Sequence, residues 1–336
     1  MYSLKRRAFI RRTLTLPLAL MLPLAVLTTM PAKAQGNWPT SKPITWVVPY
    51  PPGGSTDILG RAIALRLGIA LGATVIVDNK AGATGTIGSA FVAKATPDGY
   101  TLLGTSIGPQ AIVPNLAPQM PYDAVKAFEP VSLIGTIPHV LVIGTALPFH
   151  SPAELVAEAK AKPATLSFAS GGNGTILQMQ GELLGLQTGA RMTHVPYKGD
   201  TPAIQDVLAG HASFMFAPVA AALPHVQSGR LKALAVTSSA RLKALPEVPT
   251  MAQAGYKDFV VEQWQAVYAP AGTPKPVVQR LNQEIVRILK DPELVAMADK
   301  LGVTLVGSSP QQLADTQKSD LAKWGKVIRD AGIKAD

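Results

Sequence analysis

Ile44-Thr45-Trp46-Val47-Val48-Pro49-Tyr50-Pro51-Pro52-Gly53-Gly54-Ser55-Thr56-Asp57 is the stretch that decides the fold. Its apolar start reads as a strand, the proline and glycine cluster as a rigid turn, and residues 58–71 as a helix. The prolines fix the backbone and the two glycines permit close approach. Ser55, Thr56 or Asp57 is expected to cap the helix while free N–H groups face outward. Such a turn is either an ordinary strand-to-helix connection or a seat for an anion, above all a carboxylate.

The same order repeats along the chain. Strands are predicted at 44–48, 74–77, 101–104, 131–134, 140–143, 166–168, 193–195, 213–216, 231–236, 262–268 and 304–306. Helices are predicted at 58–71, 86–95, 152–160, 176–187, 202–209, 277–290, 292–300 and 310–331. This alternation predicts α/β domains with mainly parallel sheets. Ser151-Pro152-Ala153-Glu154 and Ser309-Pro310-Gln311-Gln312 read as capping boxes with proline at the first helical position. In parallel α/β sheets ligands sit beyond the carboxyl ends of strands. The loops to inspect are therefore 49–57, 81–86, 104–108, 170–175 and 196–200, which are rich in glycine and hydroxyl groups or, in the last case, offer the phenol of Tyr197 and the ammonium of Lys198.

Lys5-Arg6-Arg7-Ala8-Phe9-Ile10-Arg11, an apolar stretch over 14–30 and the Ala32-Lys33-Ala34 end read as an export signal cleaved after Ala34. The arginine pair favours twin-arginine export, and the general secretory route also accepts such starts. Pro17, Pro23 and the small-residue end argue against a retained anchor. The leader holds six Lys/Arg and no acid, so its removal leaves 25 basic against 21 acidic side chains, a net charge of +4. With no basic run interleaved with aromatics elsewhere, nucleic-acid binding is not expected. The absence of cysteine excludes disulfides and thiolate metal sites. None of the five histidines has metal-ligand spacing; each is expected at the surface or in a loop, and the charges from Asp315 to Lys334 are expected on a solvated helix face.

Gly104-Thr105-Ser106-Ile107-Gly108 matches the nucleophile elbow of serine hydrolases, with Asp206, His211 and His225 downstream. Against that reading, Pro109 and Pro114 leave room for barely a helical turn, and no second glycine cluster supplies an oxyanion hole. A dinucleotide fold is not supported either, because Gly82, Gly85 and Gly88 have the wrong spacing.

The first loop, followed by Arg61, resembles the signature of Bug-type extracytoplasmic solute receptors of tripartite tricarboxylate transporters. The resemblance continues through Val77-Asp78-Asn79-Lys80-Ala81-Gly82-Ala83-Thr84-Gly85, Pro97-Asp98-Gly99-Tyr100, His194-Val195-Pro196-Tyr197-Lys198-Gly199, Pro202-Ala203-Ile204-Gln205-Asp206, Leu245-Pro246-Glu247-Val248-Pro249-Thr250, Trp264 and Ala269-Pro270-Ala271-Gly272-Thr273-Pro274. It implies a type II periplasmic-binding-protein-like fold, two α/β domains with a ligand cleft between them. The implied organisation is a cleaved signal at 1–34, a discontinuous first domain from 35–138 and 257–336, and a second domain at 139–256. It further implies a periplasmic, non-enzymatic, monomeric receptor that needs no cofactor or metal and delivers a small carboxylate to integral membrane permease subunits. An exported serine hydrolase using Ser106 is the alternative.

By the same resemblance, Tyr50, Gly53, Gly54 and Asp57 face Ser170, Asn173, Gly174 and Thr175 across one carboxylate, partly through waters, while Thr84, Ser106 and Tyr197 serve the distal end. Two departures stand out. Gln178 replaces an expected histidine, and Met215-Phe216-Ala217-Pro218 lacks an expected aspartate, which argues against an amino-acid ligand. A dicarboxylate, hydroxycarboxylate or aromatic carboxylate is expected instead. If export is by the twin-arginine route, Arg6→Lys with Arg7→Lys leaves full-length precursor in the cytoplasm. Recovery of the processed 302-residue product outside the cytoplasm would reject that route.

Overall fold

The strand, turn and helix of the opening stretch are present: β1 (Ile44–Val48) runs into α1 (Ser55–Leu71). The structure is a computed structural model that describes residues 38–117 and 119–334, so residues 1–34, where an export signal is expected, lie outside the described residues. After α1 come β2 (Val75–Asn79), a 3₁₀ turn (Ala83–Gly85), α2 (Thr86–Ala93), β3 (Thr101–Ser106), a π-helical turn (Gly108–Ile112) and a second 3₁₀ turn (Val113–Asn115). β4 (Phe128–Gly144), α3 (Pro152–Ala161), β5 (Ser167–Ser170), α4 (Ile176–Thr188), β6 (Thr193–Pro196), α5 (Asp200–Ala209), β7 (Phe214–Pro218), α6 (Val219–Gln227) and β8 (Leu231–Val236) follow. The chain closes with β9 (Glu262–Pro270), α7 (Lys275–Ile288), α8 (Pro292–Lys300), β10 (Thr304–Leu305) and α9 (Pro310–Asp330).

The strand order is β2-β1-β3-β9-β4-β7-β5-β6, with β8 and β10 also on β4. Both ends are parallel, β2 and β3 beside β1 and β6 and β7 beside β5, as the alternation predicts. The middle is antiparallel, which corrects the expectation of mainly parallel sheets. The reason is β9: it is antiparallel to both β3 and β4, so those two share a direction and β9 is a late strand inserted between them.

β4 corrects the prediction of separate strands at 131–134 and 140–143, being one strand of 17 residues. Residues 128–138 pair with β9, whereas residues 139–144 pair with β7 and β8. Pro138 is tolerated because it stands where the ladder changes partners, and a proline cannot donate to a ladder. His139, next in line, is fully buried, contrary to its expected surface or loop position. Its N–H donates to Thr237 Oγ1 at 2.9 Å, and its carbonyl accepts the Thr237 N–H at 2.9 Å. Burial pushes its imidazole down to about 3. A helix at α6 is not predicted from the sequence because it contains Pro224.

Of the two expected capping boxes, Ser309 and Gln312 form the reciprocal pair. At α3, Ser151 Oγ accepts the Glu154 N–H at 3.2 Å, but the Glu154 carboxylate takes the His150 N–H at 2.8 Å instead of the Ser151 N–H, so that box is only half formed. On α9, Asp320 departs from the solvated face: it accepts Trp264 Nε1–H at 2.7 Å and ties the helix to β9. Trp46 is fully buried, its indole nitrogen 3.0 Å from where a Gly60 Cβ would stand, so α1 lies close on the sheet. Among the described residues, no helix is long and apolar enough to cross a membrane.

α4 is set on β5 by Gly181, whose missing Cβ makes room for the Phe168 ring. Gly181→Ala would normally stabilise a helix by about 1 kcal/mol. Here the added methyl overlaps the ring, and overpacking of about 1–3 kcal/mol outweighs the propensity gain. A lowered urea midpoint for Gly181→Ala is expected; an unchanged or raised one would show that Phe168 moves aside.

Candidate functional site

The first turn of α1 has no side-chain cap. Gly54 is the N-cap, with φ −77° and ψ 166°, in place of the expected Ser55, Thr56 or Asp57. The first helical hydrogen bond runs from Ile58 N–H to Gly54 O at 2.9 Å, so the N–H groups of Ser55, Thr56 and Asp57 have no intrahelical partner. Gly53 has φ 95°, a conformation that favours glycine, and nothing lies within 4 Å of where a Gly53 or Gly54 Cβ would stand. An anion can therefore reach this backbone.

Asp57, only 3% exposed, braces the loop from behind. It accepts Asn79 Nδ2–H at 2.9 Å on Oδ1, and the Gly53 N–H at 2.9 Å and Arg61 Nε–H at 3.2 Å on Oδ2. Burial opposes its ionisation, but these hydrogen bonds and the Arg61 charge prevail and hold the carboxyl below its usual value. Asn79 also donates to Tyr50 O at 3.1 Å and accepts Arg61 Nη2–H at 2.6 Å. Ser55 Oγ accepts Gln265 Nε2–H at 2.8 Å from β9. Gln265 carries no pattern in the sequence that marks it, whereas Asn79 lies inside a quoted motif.

The loops after β1, β2 and β3 meet at Tyr50. Its hydroxyl is 2.6 Å from Ser106 Oγ, its ring lies 3.3 Å from where a Gly85 Cβ would stand, and a Cβ on Gly108 would be 3.7 Å from Thr84 Cγ2 and 3.9 Å from the Tyr50 hydroxyl. Ala83 and Thr84 have φ 45° and 51°, two adjacent non-glycine residues in the left-handed region. Such strain collects at binding sites. Burial pushes the Tyr50 phenol up, so it stays neutral. Ser106 is bonded to a phenol, not to an imidazole, and is followed by a π-helical turn rather than the regular helix of a nucleophile elbow.

The second loop set lies beyond β5 and β6. Backbone bonds from Tyr197 N to Ser170 O at 3.0 Å and from Gly199 N to Gly171 O at 3.1 Å lace the two loops together. Buried Ser170 has its Oγ 2.6 Å from His194 Nε2. Thr175 caps α4: its hydroxyl donates to Gly172 O at 2.7 Å and accepts the Gln178 N–H at 3.4 Å. Gln178, standing where a histidine is expected, accepts the Gly174 N–H at 2.9 Å. Asn173 is also engaged. Tyr197 donates to Asp206 Oδ2 at 2.6 Å, and burial with that carboxylate pushes its phenol up to about 12. Lys198 is exposed. The two loop sets approach at Gly174, where a Cβ would be 3.2 Å from Leu116 and 3.4 Å from Val113 in the segment after β3.

Helices α3, α4, α8 and α9 start on a capping side chain. In contrast α1, α2 and α5 start on Gly54, Gly85 and Gly199 without one. These three lie in loops leading from the carboxyl ends of β1, β2 and β6, the strand ends at which α/β sheets bind ligands. A cavity of about 360 Å³ lined by Gly181, Glu182, Gly185 and Arg191 lies instead at the residues that lead into β6, before that strand.

The family described as "Tripartite tricarboxylate transporter family receptor" matches residues 59–333. The chain is 40% identical to Protein BugT of Bordetella pertussis over 295 residues, 88% of this chain and 90% of that one. Its fold matches the periplasmic binding protein BugD (TM-score 0.75, 34% identity, 88% of this chain and 99% of that one). It also matches R. palustris Rpa4515 with adipate (0.78, 33%, 88% and 99%) and MatC from Rhodopseudomonas palustris with bound malate (0.75, 30%, 86% and 99%). With its periplasmic-binding-protein fold and a match along nearly the whole described chain, this protein belongs to the family of tripartite tricarboxylate transporter receptors.

Proposed function

We propose that this receptor captures a small carboxylate in the periplasm and hands it to the membrane subunits of its transporter, acting as a monomer without catalysis. The observation that carries the reading is the uncapped, glycine-opened N-terminus of α1, held rigid by Asp57, Arg61 and Asn79. Three N–H groups without an intrahelical partner at a helix dipole's positive end suit an oxyanion. The adipate and malate held by the two solved relatives support the ligand class.

In this reading Gly53, Gly54, Tyr50, Thr84 and Ser106 form one wall, and Ser170, Asn173, Gly174, Thr175 and Tyr197 the other. Asp57 contributes by rigidity. Residues 38–138 and 257–334 form one lobe and 139–256 the other, with β4 passing between them where it changes partners. A ligand touching both walls selects the closed form. The leader directs export, by the twin-arginine route.

A thermal-shift screen of adipate, L-malate and related acids is expected to find one that stabilises the mature protein while its methyl ester does not. At about 100 times the dissociation constant the gain is about 2.7 kcal/mol. Gly54→Val is expected to leave ligand-free melting unchanged, since φ −77° suits any residue and the space is open, yet to erase the ligand shift. A hit that binds this variant as tightly as wild type would move the site elsewhere.

Asn79→Ala removes a donor from a buried carboxylate and is expected to cost about 1–3 kcal/mol of stability, together with ligand affinity as the loop loosens. Chemical denaturation and calorimetry read the two effects separately. Purified protein is expected to turn over no ester above background; turnover that disappears in Ser106→Ala would reinstate the hydrolase.

A further inference from the structure

Asp200 is the first residue of α5, following Gly199 with φ 111°. Its Oδ1 occupies the space where a Gly171 Cβ would stand, so the glycine leaves room for the carboxyl in this position. The backbone bonds between 170–171 and 197–199 hold the two loops as one piece, and the carboxyl lies beside the Ser170–Thr175 loop. Other acids of the site are satisfied. Asp57 is surrounded by Arg61, Asn79 and Gly53, and Asp206 takes the Tyr197 hydroxyl. Asp200, by contrast, is half-buried, and among the described residues its carboxyl makes no hydrogen bond or ion pair. Burial pushes its carboxyl up, as expected for an acid lacking a partner.

The missing aspartate of Met215-Phe216-Ala217-Pro218 removes an acid from β7. Asp200 returns one from the loop after β6, two strands away, since β5 lies between β7 and β6. That reverses the weighing against ligands with an ammonium. We propose that Asp200 is a specificity-determining residue of this receptor, accepting a hydrogen bond from a donor the ligand carries beside its carboxylate, a hydroxyl or an ammonium. The inference rests on the carboxylate-receptor reading above. A plain dicarboxylate offers Asp200 only a like charge, whereas a hydroxyl or ammonium offers the partner that the protein does not supply.

Succinate, L-malate and L-aspartate differ only at one carbon, which bears hydrogen, hydroxyl or ammonium. Titration calorimetry on the mature protein is expected to show malate or aspartate binding about tenfold or more tighter than succinate, as a hydrogen bond to a charged group implies. Asp200→Ala is expected to bring the preferred acid to within about threefold of succinate. Asp200→Asn, which keeps the shape and an acceptor oxygen, separates the sources: a hydroxyl preference survives in part and an ammonium preference is lost. Equal binding of all three by wild type, or a preference that persists in Asp200→Ala, overturns the proposal. If adipate or succinate binds while malate and aspartate do not, the proposal falls and the carboxylate receptor stands; if no carboxylic acid binds, both fall.

Discussion

The buried carboxylate of Asp57 is the interaction on which the rest of the site depends. A loop holding three prolines and two glycines within residues 49–54 has no ladder of its own. Asp57 fixes it by drawing a backbone N–H from Gly53, an amide from Asn79 on β2 and the guanidinium of Arg61 one turn along α1. Because Asp57 reaches back to Gly53, it does not cover the N–H groups at the head of its own helix. Rigidity and open donors are thus achieved together, and the ordering entropy of the loop is met by folding rather than by the ligand.

Division of labour between capped and uncapped helices extends this logic. Ser151, Thr175, Asp291 and Ser309 close their helix starts with side chains. Gly54, Gly85 and Gly199 leave theirs open beyond the carboxyl ends of β1, β2 and β6. Thr175 belongs to the closed group, and its hydroxyl is twice engaged within its own loop. The Ser170–Thr175 loop is therefore more self-satisfied in hydrogen bonds than the uncapped turn that opens α1.

Much of this fold was legible in the sequence because the strands are short apolar runs and the helices begin at recognisable Pro, Ser or Gly signals. Strand 44–48, the helix that follows it and the Ser309–Gln312 capping box appear where the pattern puts them, and Ser151 caps α3 without the reciprocal bond. Continuity of β4 through Pro138 was not legible, since a proline inside an apolar run usually marks a strand end, a bulge or an edge. Nor was the antiparallel insertion of β9, which depends on contacts with residues more than a hundred positions away. In the site, the loops were visible but the occupancy of their donors was not. That Asn79 would claim Asp57, Gln178 the Gly174 N–H, or Asp206 the Tyr197 hydroxyl follows only from distances. Asp200 sat inside a quoted loop without drawing attention, because its isolation is a property of the fold.

Where β4 changes partners, the chain keeps an imidazole uncharged by burying it away from water. His139 in the folded protein titrates near 3, whereas in the unfolded chain it recovers an ordinary histidine value near 6.5. Between those values the unfolded chain binds a proton that the native seam refuses. Acid therefore weakens the fold as pH drops below about 6.5, the loss growing until the native imidazole itself protonates. The strand crossing is thus also a proton-linked element, coupling the stability of the fold to the pH around it at the segment that joins the two ends of the sheet.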